Sequence, residues 1–541
     1  MMPLVFMSFP KVEIRRKHSM TFFAVLAIAM VIGSYLFVFL LAAACVILPY
    51  LIIANSENPS GQILLLLLFG IVIAAAMLWS LIPRRDKFKP PGLLLDPASH
   101  PKLFKELKNI AAALGEELPL EVYLVADPNA FVADRGGILG FGSRRIMGLG
   151  LPLLSTMTIS QFRAVLAHEF AHYYGGDTGL GPWVYKSRSA MIRLFQNIGS
   201  VGSLARIAIL GAMYLVVVTL LKWYFIAFLR VTNLVSRKQE YRADELACIV
   251  AGRQNLIDGL QTVHAATIGW PAYWKNEVAP TLSGGSLVAL GDGFSRFLVA
   301  PGVSSAISSS LQKRLQEEKT APYDTHPPLR DRIAAVRNLA DGSPAEDTNP
   351  ALTLLQDVPK AEMALVEQCV EDVQPGTLQY VLWDQIAARV TIPEWQKFVT
   401  EYAGPVRGVT AERLPHQVPH FREIGSRIRD PKGMLLSPEQ RTFRAAYLFA
   451  AALALAMVRV EWVLDVAPGV FHLRRGDREF NPFRELDELM KGKLTPAQWV
   501  AKCQELGIAR LYLLSPEGAG QYQDNGAIQE QLFGADGNQP V

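Results

Sequence analysis

The segment His168-Glu169-Phe170-Ala171-His172 decides how this chain has to fold. Residues four apart on a helix lie on one face, one turn from each other, so both imidazoles can reach the same metal ion. Glu169 can then reach a water on that ion. Upstream, Thr158 and Gln161 have the spacing of a capping box, which predicts that the helix begins there. The sequence therefore predicts a helix with two metal ligands and an adjacent carboxylate.

The third metal ligand separates two classes of site. A catalytic zinc takes three protein ligands and keeps one position for water. In one class the third ligand follows shortly after the second histidine, in the pattern HExxHxxGxxH. Here Thr178 holds that position and Asp177 comes one residue early. The short extension therefore fails, and the ligand has to come from a second helix.

Glu240 is the predicted third ligand. Ser236 and Gln239 have the spacing of another capping box, so we expect this second helix to begin at Ser236. Asp244 lies one turn after Glu240 on the same face, where its carboxylate can accept the free N–H of a ligand histidine. The predicted site binds one Zn²⁺ per chain through three ligands, namely His168, His172 and Glu240.

Two apolar segments near the start of the sequence predict a membrane anchor. No charged residue lies between Met20 and Ile53, a run longer than the roughly 20 residues that one span needs. A second apolar segment extends from Ile63 to about Ile82. Lys and Arg flank the pair on both outer sides and are absent from the turn, so both ends are expected in the cytoplasm. A cleaved signal peptide is the alternative, but its apolar part would be shorter.

Ile207–Leu229 is a third apolar stretch, and the predicted metal site restricts its topology. Glu240 can join the histidines only if both ends of the stretch lie on the same side of the membrane. A single crossing would separate the ligands, and a segment of this length cannot cross twice. We therefore expect the stretch to lie on the membrane surface, to enter and return, or to be buried against the catalytic domain. A hairpin that starts near Ile198 is a further alternative.

Composition and residue patterns set the remaining expectations. Hydrophobic residues make up 50% of the chain, which is typical of membrane association, and a net charge of +4 is too small to indicate nucleic-acid binding. Four cysteines without a CxxC pair indicate buried free thiols. Strand patterns at 120–125 and 146–149 precede the metal helix. The predicted fold class is α+β, mainly helical, with a small sheet beside the HExxH helix.

These motifs resemble those of a known family. His168-Glu169-x-x-His172, followed by Ser236-Arg237-x-x-Glu240-x-x-x-Asp244, is similar to the integral-membrane gluzincins of the HtpX heat-shock protease and CAAX prenyl endopeptidase type. Thr325-His326-Pro327-Pro328 and Asn129-Ala130-Phe131 resemble two further segments of that family. The HtpX type has two spans between its metal helices, where this chain has one apolar stretch. Residues 341–541 have no counterpart in the minimal family pattern.

The resemblance implies a membrane-anchored zinc endopeptidase that acts on membrane or misfolded proteins. Glu169 would be the general base for the attacking water, and His326 would be a second donor to the oxyanion. Asn129 and Ala130 would hold an extended substrate backbone as an added strand. The alternatives are a processing protease for a single or lipidated substrate and an idle membrane scaffold. An intact Glu169 disfavours the scaffold.

The expected location is a bacterial-type inner (plasma) membrane, which the chain crosses several times with its protease domain in the cytoplasm. The expected partners are the lipid bilayer and a protein or peptide substrate, and the oligomeric state is left open. The expected organisation is a basic tail (1–18), a transmembrane hairpin (19–89), a zinc protease domain (90–340), a linker (341–352), a helical region of unassigned role (353–514) and a disordered tail (515–541).

Overall fold

The structure of the protein is a computed structural model. It describes residues 19–82, 88–136, 143–173, 181–204, 207–317, 326–342, 345–371, 373–429 and 436–516. The predicted basic tail, the segment with Asp177 and Thr178, and most of the predicted disordered tail lie outside these residues.

Helices dominate the described residues, and the strands form three small sheets, which confirms the predicted α+β, mainly helical class. The helices are α1 (Ser19–Ala54), α2 (Gly61–Leu81), α3 (Pro101–Leu114), α4 (Leu151–Thr156), α5 (Ile159–Ala171), α6 (Gly181–Val201), α7 (Ala208–Ala251), α8 (Arg253–Tyr273), α9 (Ala279–Ser283), α10 (Leu290–Val299), α11 (Pro301–Glu317), α12 (Leu329–Val336), α13 (Val358–Cys369), α14 (Ile392–Glu401), α15 (Phe421–Ser426), α16 (Pro438–Arg459), α17 (Pro482–Met490) and α18 (Pro496–Glu505). The strands are β1 (Leu93–Leu94), β2 (Glu121–Val125), β3 (Ala130–Arg135), β4 (Arg144–Gly150), β5 (Ser286–Val288), β6 (Gln379–Val381), β7 (Val463–Ala467), β8 (Val470–Arg475) and β9 (Arg478–Phe480).

Contacts divide the chain into two compact units. The first unit contains residues 1–267 and 308–369, and the second contains residues 268–307 and 370–541. This division differs from the predicted boundaries. α13 packs against β1 and so belongs to the first unit, whereas β5 pairs in parallel with β6 and belongs to the second.

Four helices of the first unit, α1, α2, α6 and α7, pack against one another. α1 and α2 approach so closely that a Cβ atom on Gly70 would lie 2.1 Å from the carbonyl oxygen of Cys45. Three of the four, α1, α2 and α7, are long and apolar enough to cross a membrane. The buried side chains that they share include Val38, Ala42, Phe69, Ile73, Met77, Leu194, Ile198, Leu210, Val217 and Leu221.

The course of α7 differs from the sequence expectations. A single helix extends from Ala208 to Ala251, so the predicted helix start at Ser236 is wrong. The apolar stretch before Ser236 is already helical. The backbone N–H groups after Ser236 therefore donate to carbonyl oxygens of the preceding helical turn and need no capping side chain. Ile207–Leu229 accordingly forms no re-entrant turn. It supplies the apolar first half of a helix that packs on α1 and α2.

α6 is a helix that the sequence patterns did not predict. It follows the metal helix in the chain and packs on α2, where the Asn197 amide donates to Ser80 Oγ at 2.8 Å. α6 and α7 are therefore consecutive helices of one cluster. Lys186, Arg188 and Arg193 interrupt the apolar pattern of α6, which is why hydropathy missed it.

A four-stranded sheet of the first unit lies next to α5. Its strand order is β1-β2-β4-β3, so β3 is an edge strand, and among the described residues its one partner is β4. β2 and β4 are parallel and correspond to the two predicted strand patterns. α5 begins at the predicted capping box, in which Thr158 Oγ1 accepts from the Gln161 backbone N–H at 3.2 Å and Gln161 Oε1 accepts from the Thr158 N–H at 3.2 Å.

A distant segment also contacts the start of α5. The Ile159 N–H donates to Asn349 O at 2.9 Å, and the Ser160 N–H donates to Asp347 O at 3.1 Å. These are backbone donors that a helix leaves without an internal partner at its first turn. The described part of the predicted linker 341–352 therefore packs onto the helix that carries the two histidines. A linker that merely connected two domains would not make such contacts.

The second unit has its own hydrophobic core around α16. α16 has the length and hydropathy of a membrane span, yet nearly every side chain from Ala445 to Met457 is buried within this unit. Its hydrophobicity is explained by packing against α14, α15 and α17. β7, β8 and β9 form an antiparallel meander beside this core.

Gly70 provides a test of the α1–α2 contact. Gly70→Ala places a methyl group against the backbone of Cys45, so the two helices must move apart. We expect a loss of about 1–3 kcal/mol in the free energy of unfolding, measured by denaturant titration in detergent micelles. Gly61→Ala is the matched control because no atom lies within 4 Å of its added Cβ. Equal stability of the two variants would contradict the observed packing.

Candidate metal centre

The structure brings His168, His172 and Glu240 together. The two histidines lie at the end of α5 and Glu240 lies on α7, and their ligand atoms are all within 4.8 Å of one another. His168 Nε2 is 3.4 Å from Glu240 Oε2, and His172 Nε2 is 3.6 Å from Glu240 Oε1. α5 and α7 pack directly, with the small side chains Ala243 and Ala247 buried on α7. Three atoms at these distances can surround one ion.

The residues of this cluster fit a zinc ion. Glu240 Oε2 is buried and accepts no hydrogen bond, although Arg332 Nη1 lies 3.4 Å away. A buried carboxylate oxygen without a donor is unfavourable unless a cation satisfies it. Two imidazole nitrogens and one carboxylate oxygen are also the donor set of a catalytic zinc site that keeps a position for water.

Asp244 and Arg332 hold the ligands in place. Asp244 Oδ1 lies 2.9 Å from His168 Nδ1, so it can accept the N–H that leaves Nε2 free for a metal. Arg332, on α12, donates to both oxygens of Asp244, from Nη2 at 2.6 Å and from Nε at 3.0 Å. The sequence motifs did not predict this role of Arg332. The two buried acids Glu240 and Asp244 need a nearby cation, and this need was the signal that could have indicated it.

Burial and charge set the protonation of the site. Burial raises the pKa of Glu169 to about 7, and the charge of Glu240 adds to this effect. Burial and the neighbouring charge of His168 lower the pKa of His172 to about 4, so its imidazole is neutral. Burial and Arg332 would lower the pKa of His168, but the carboxylates of Asp244 and Glu240 beside its ring outweigh them and raise it to about 9. The acidic surroundings that favour the protonated, positively charged imidazole of His168 also favour a metal cation beside it.

His326 lies against a metal ligand. Its Nδ1 is 2.8 Å from Glu240 Oε1, and its side chain is 68% exposed. The hydrogen bond to Glu240 raises the pKa of His326. Because Nδ1 is engaged, Nε2 is the nitrogen that remains to contact another molecule.

A cavity of about 500 Å³ opens beside His168 and Glu169. Asn129 and Ala130, at the start of the edge strand β3, line it together with His326. The remaining lining residues are Val165, Arg188, Leu256, Leu260, Val263, His264, Pro327, Pro328, Leu329 and Arg332. The structure thus brings all the sequence-predicted site residues to one place, with Asp244 directly behind His168.

Two histidines and one glutamate, with a carboxylate next to the first histidine, are the residue set of a zinc-peptidase site, and helices long enough to cross a membrane belong to the same unit. Comparison with known proteins agrees with this reading: residues 97–340 match peptidase family M48, so this part of the chain is similar to that family. The match confirms the resemblance seen in the sequence.

Several relatives are named protease HtpX. The chain is 26% identical over 226 residues to protease HtpX of Xylella fastidiosa (strain 9a5c), a match that covers 40% of this chain and 65% of the relative. It is 25% identical over 254 residues to protease HtpX of Psychrobacter sp. (strain PRwf-1), covering 45% and 72%. The chain thus spans just under two thirds of the first relative. No solved structure matches it significantly.

Asp244 tests how the ligand histidine is held. Asp244→Asn removes the negative carboxylate beside His168 Nδ1 and weakens the partner of Arg332. We expect zinc affinity to fall roughly 10–100-fold, measured by competition with a chromophoric chelator. Glu245→Gln, the next residue on α7, breaks only a surface pair with Arg242 and serves as the control. Unchanged zinc affinity in Asp244→Asn would exclude this role.

Proposed function

We propose that the protein is a membrane-anchored zinc endopeptidase that hydrolyses peptide bonds of membrane or misfolded proteins. The observation that carries this proposal is the position of Glu169. Its half-buried side chain lines the cavity and is adjacent in sequence to His168, one of the three convergent ligand residues. A general base has to lie within reach of the metal-bound water, and a carboxylate next to the first ligand histidine satisfies this requirement.

The proposed chemistry assigns one task to each residue. Zinc bound by His168, His172 and Glu240 would supply a water of lowered pKa and polarise the peptide carbonyl. Glu169 accepts the proton of that water and later delivers it to the leaving amine. Its raised pKa of about 7 suits both steps near neutral pH.

Substrate alignment is assigned to β3 and His326. β3 pairs with β4 on one side only, so its other edge can accept an extended peptide as an added strand. Asn129 and Ala130 lie where that edge meets the cavity. His326 Nε2 would donate to the developing oxyanion, since its Nδ1 is bonded to Glu240.

The proposed topology puts the metal centre in the cytoplasm. The turn between α1 and α2 lacks Lys and Arg, whereas basic residues flank the pair on both sides. α6 and α7 form a second pair whose outer ends lead to α5 and to Glu240. Because the two histidines of α5 and Glu240 of α7 meet in one cluster, both would lie on the same side of the membrane.

Glu169→Gln tests the catalytic assignment. The amide cannot accept the proton of the water, so cleavage of an unfolded protein in detergent should fall by roughly 10²–10⁴-fold. Bound zinc should stay at the wild-type level because the three ligands are unchanged. Glu117→Gln, an exposed change outside the cavity, is the matched control. Equal cleavage by wild type and Glu169→Gln would refute the peptidase proposal and favour the scaffold.

Reporter fusions test the orientation. A fluorescent protein fused after Val541 should fluoresce, because it would fold in the cytoplasm. Alkaline phosphatase inserted between Asn55 and Ser60 should be active, because that turn would lie on the opposite side. The reverse pattern would contradict the proposed orientation and leave the metal site unaffected.

A further inference from the structure

We propose that Arg188 binds a carboxylate of the substrate and thereby directs cleavage to peptide bonds near an acidic group. This inference rests on the proposed peptidase function and adds a determinant of specificity to it. The evidence is the position of Arg188 in the cavity, its lack of an acidic partner among the described residues, and the apolar side chains in the same lining.

Arg188 is held at the cavity by the packing of α6. Its side chain is half-buried and lines the cavity that Glu169 and His326 also line. The same helix is anchored to α2 through the buried side chains of Met191 and Leu194. These contacts fix the rotation of α6 and so keep Arg188 on the side of the helix that meets the cavity.

Arg188 and Arg332 both line the cavity, and they differ in their partners. Arg332 Nη1 lies 3.4 Å from Glu240 Oε2, and Arg332 Nη2 lies 2.6 Å from Asp244 Oδ1. In the part of the chain that the structure describes, no carboxylate forms an ion pair with Arg188, whereas Arg332 pairs with two. Arg188 is therefore the arginine of the lining whose charge no described carboxylate pairs with.

Apolar side chains in the same lining strengthen the effect of this charge. Leu256, Leu260 and Val263 line the cavity from one face of α8. Apolar side chains lower the local polarity, so an ion pair formed there is stronger than one in water. Arg188 also presents a planar set of donors that matches the two oxygens of a carboxylate. An acidic group of a bound peptide is the chemistry that this cavity can recognise.

The carboxylate can come from an Asp or Glu side chain or from the C-terminus of the substrate. Both sources offer the same two oxygens, so the test has to separate them. Binding is measured with the Glu169→Gln variant, because this change removes turnover and keeps the metal ligands. A panel of peptides tiling one unfolded protein is screened for binding to this variant by fluorescence anisotropy. The tightest peptide that contains Glu is then made with Glu, Gln or Lys at that position, each with a free or amidated C-terminus.

The proposal predicts a roughly 10-fold loss of affinity in one of two comparisons, either when Glu is replaced by Gln or when the C-terminus is amidated. The change that weakens binding shows whether Arg188 binds the Glu side chain or the C-terminal carboxylate of the peptide. Adding Arg188→Gln should abolish the difference between acidic and neutral peptides. Arg188→Glu should invert it in favour of Lys. Arg230→Gln removes the same charge from an exposed position on α7, outside the cavity, and should leave the preference intact.

The proposal is overturned if the Glu169→Gln protein shows no preference for the acidic peptides, or if Arg188→Gln keeps the same preference. Zinc content is measured for every variant. If Arg188→Gln loses its zinc, the Arg188→Lys variant is tested in its place. It should retain a weakened preference for the acidic peptides. A full preference or no preference in Arg188→Lys would refute the proposal. Since binding is measured without turnover, failure of the peptidase function itself would appear separately, as wild-type protein that cleaves nothing.

Discussion

The ion pair between Arg332 and Asp244 is the interaction on which the metal centre depends. Asp244 lies on α7, Arg332 on α12, and the histidine that Asp244 contacts on α5, so three segments distant in sequence meet at one buried carboxylate. Each of these charges is costly to bury alone and becomes tolerable only when paired. The pair therefore favours one arrangement of the three helices, and in that arrangement His168 presents Nε2 to the ion.

The length of α7 connects this centre to the apolar helix cluster. One helix carries apolar residues that pack on α1 and α2 and, further along, the ligand Glu240. A rigid helix fixes the distance and the rotation between its two parts, because each residue advances the chain by about 1.5 Å and 100°. A shift of α7 within the cluster would therefore move Glu240 relative to α5. Proteolytic chemistry beside a membrane would need such a fixed relation.

The segment around Asp347 and Asn349 adds a further constraint on α5. Its carbonyl oxygens accept the first N–H groups of the helix that carries both histidines, which stabilises the helix start. These residues follow the end of the M48 match at residue 340. The contact shows that the first unit uses chain beyond the family pattern to hold its metal helix.

The sequence by itself determined the candidate metal ligands, the carboxylate beside them, the capped start of α5 and the two N-terminal apolar helices. These follow from short-range patterns, since helical spacing places His168 and His172 on one face and a capping box needs only four residues. Only the tertiary structure decided that α6 and α7 form a second pair of helices, that Ser236 starts no helix, and that Arg332 stabilises Asp244. Those features depend on contacts between distant segments, where packing overrides local propensity and a buried charge takes its partner from another helix. The segment at His168 thus indicates the type of site by itself. Its completion depends on tertiary contacts that bring in Glu240 from α7 and Arg332 from α12.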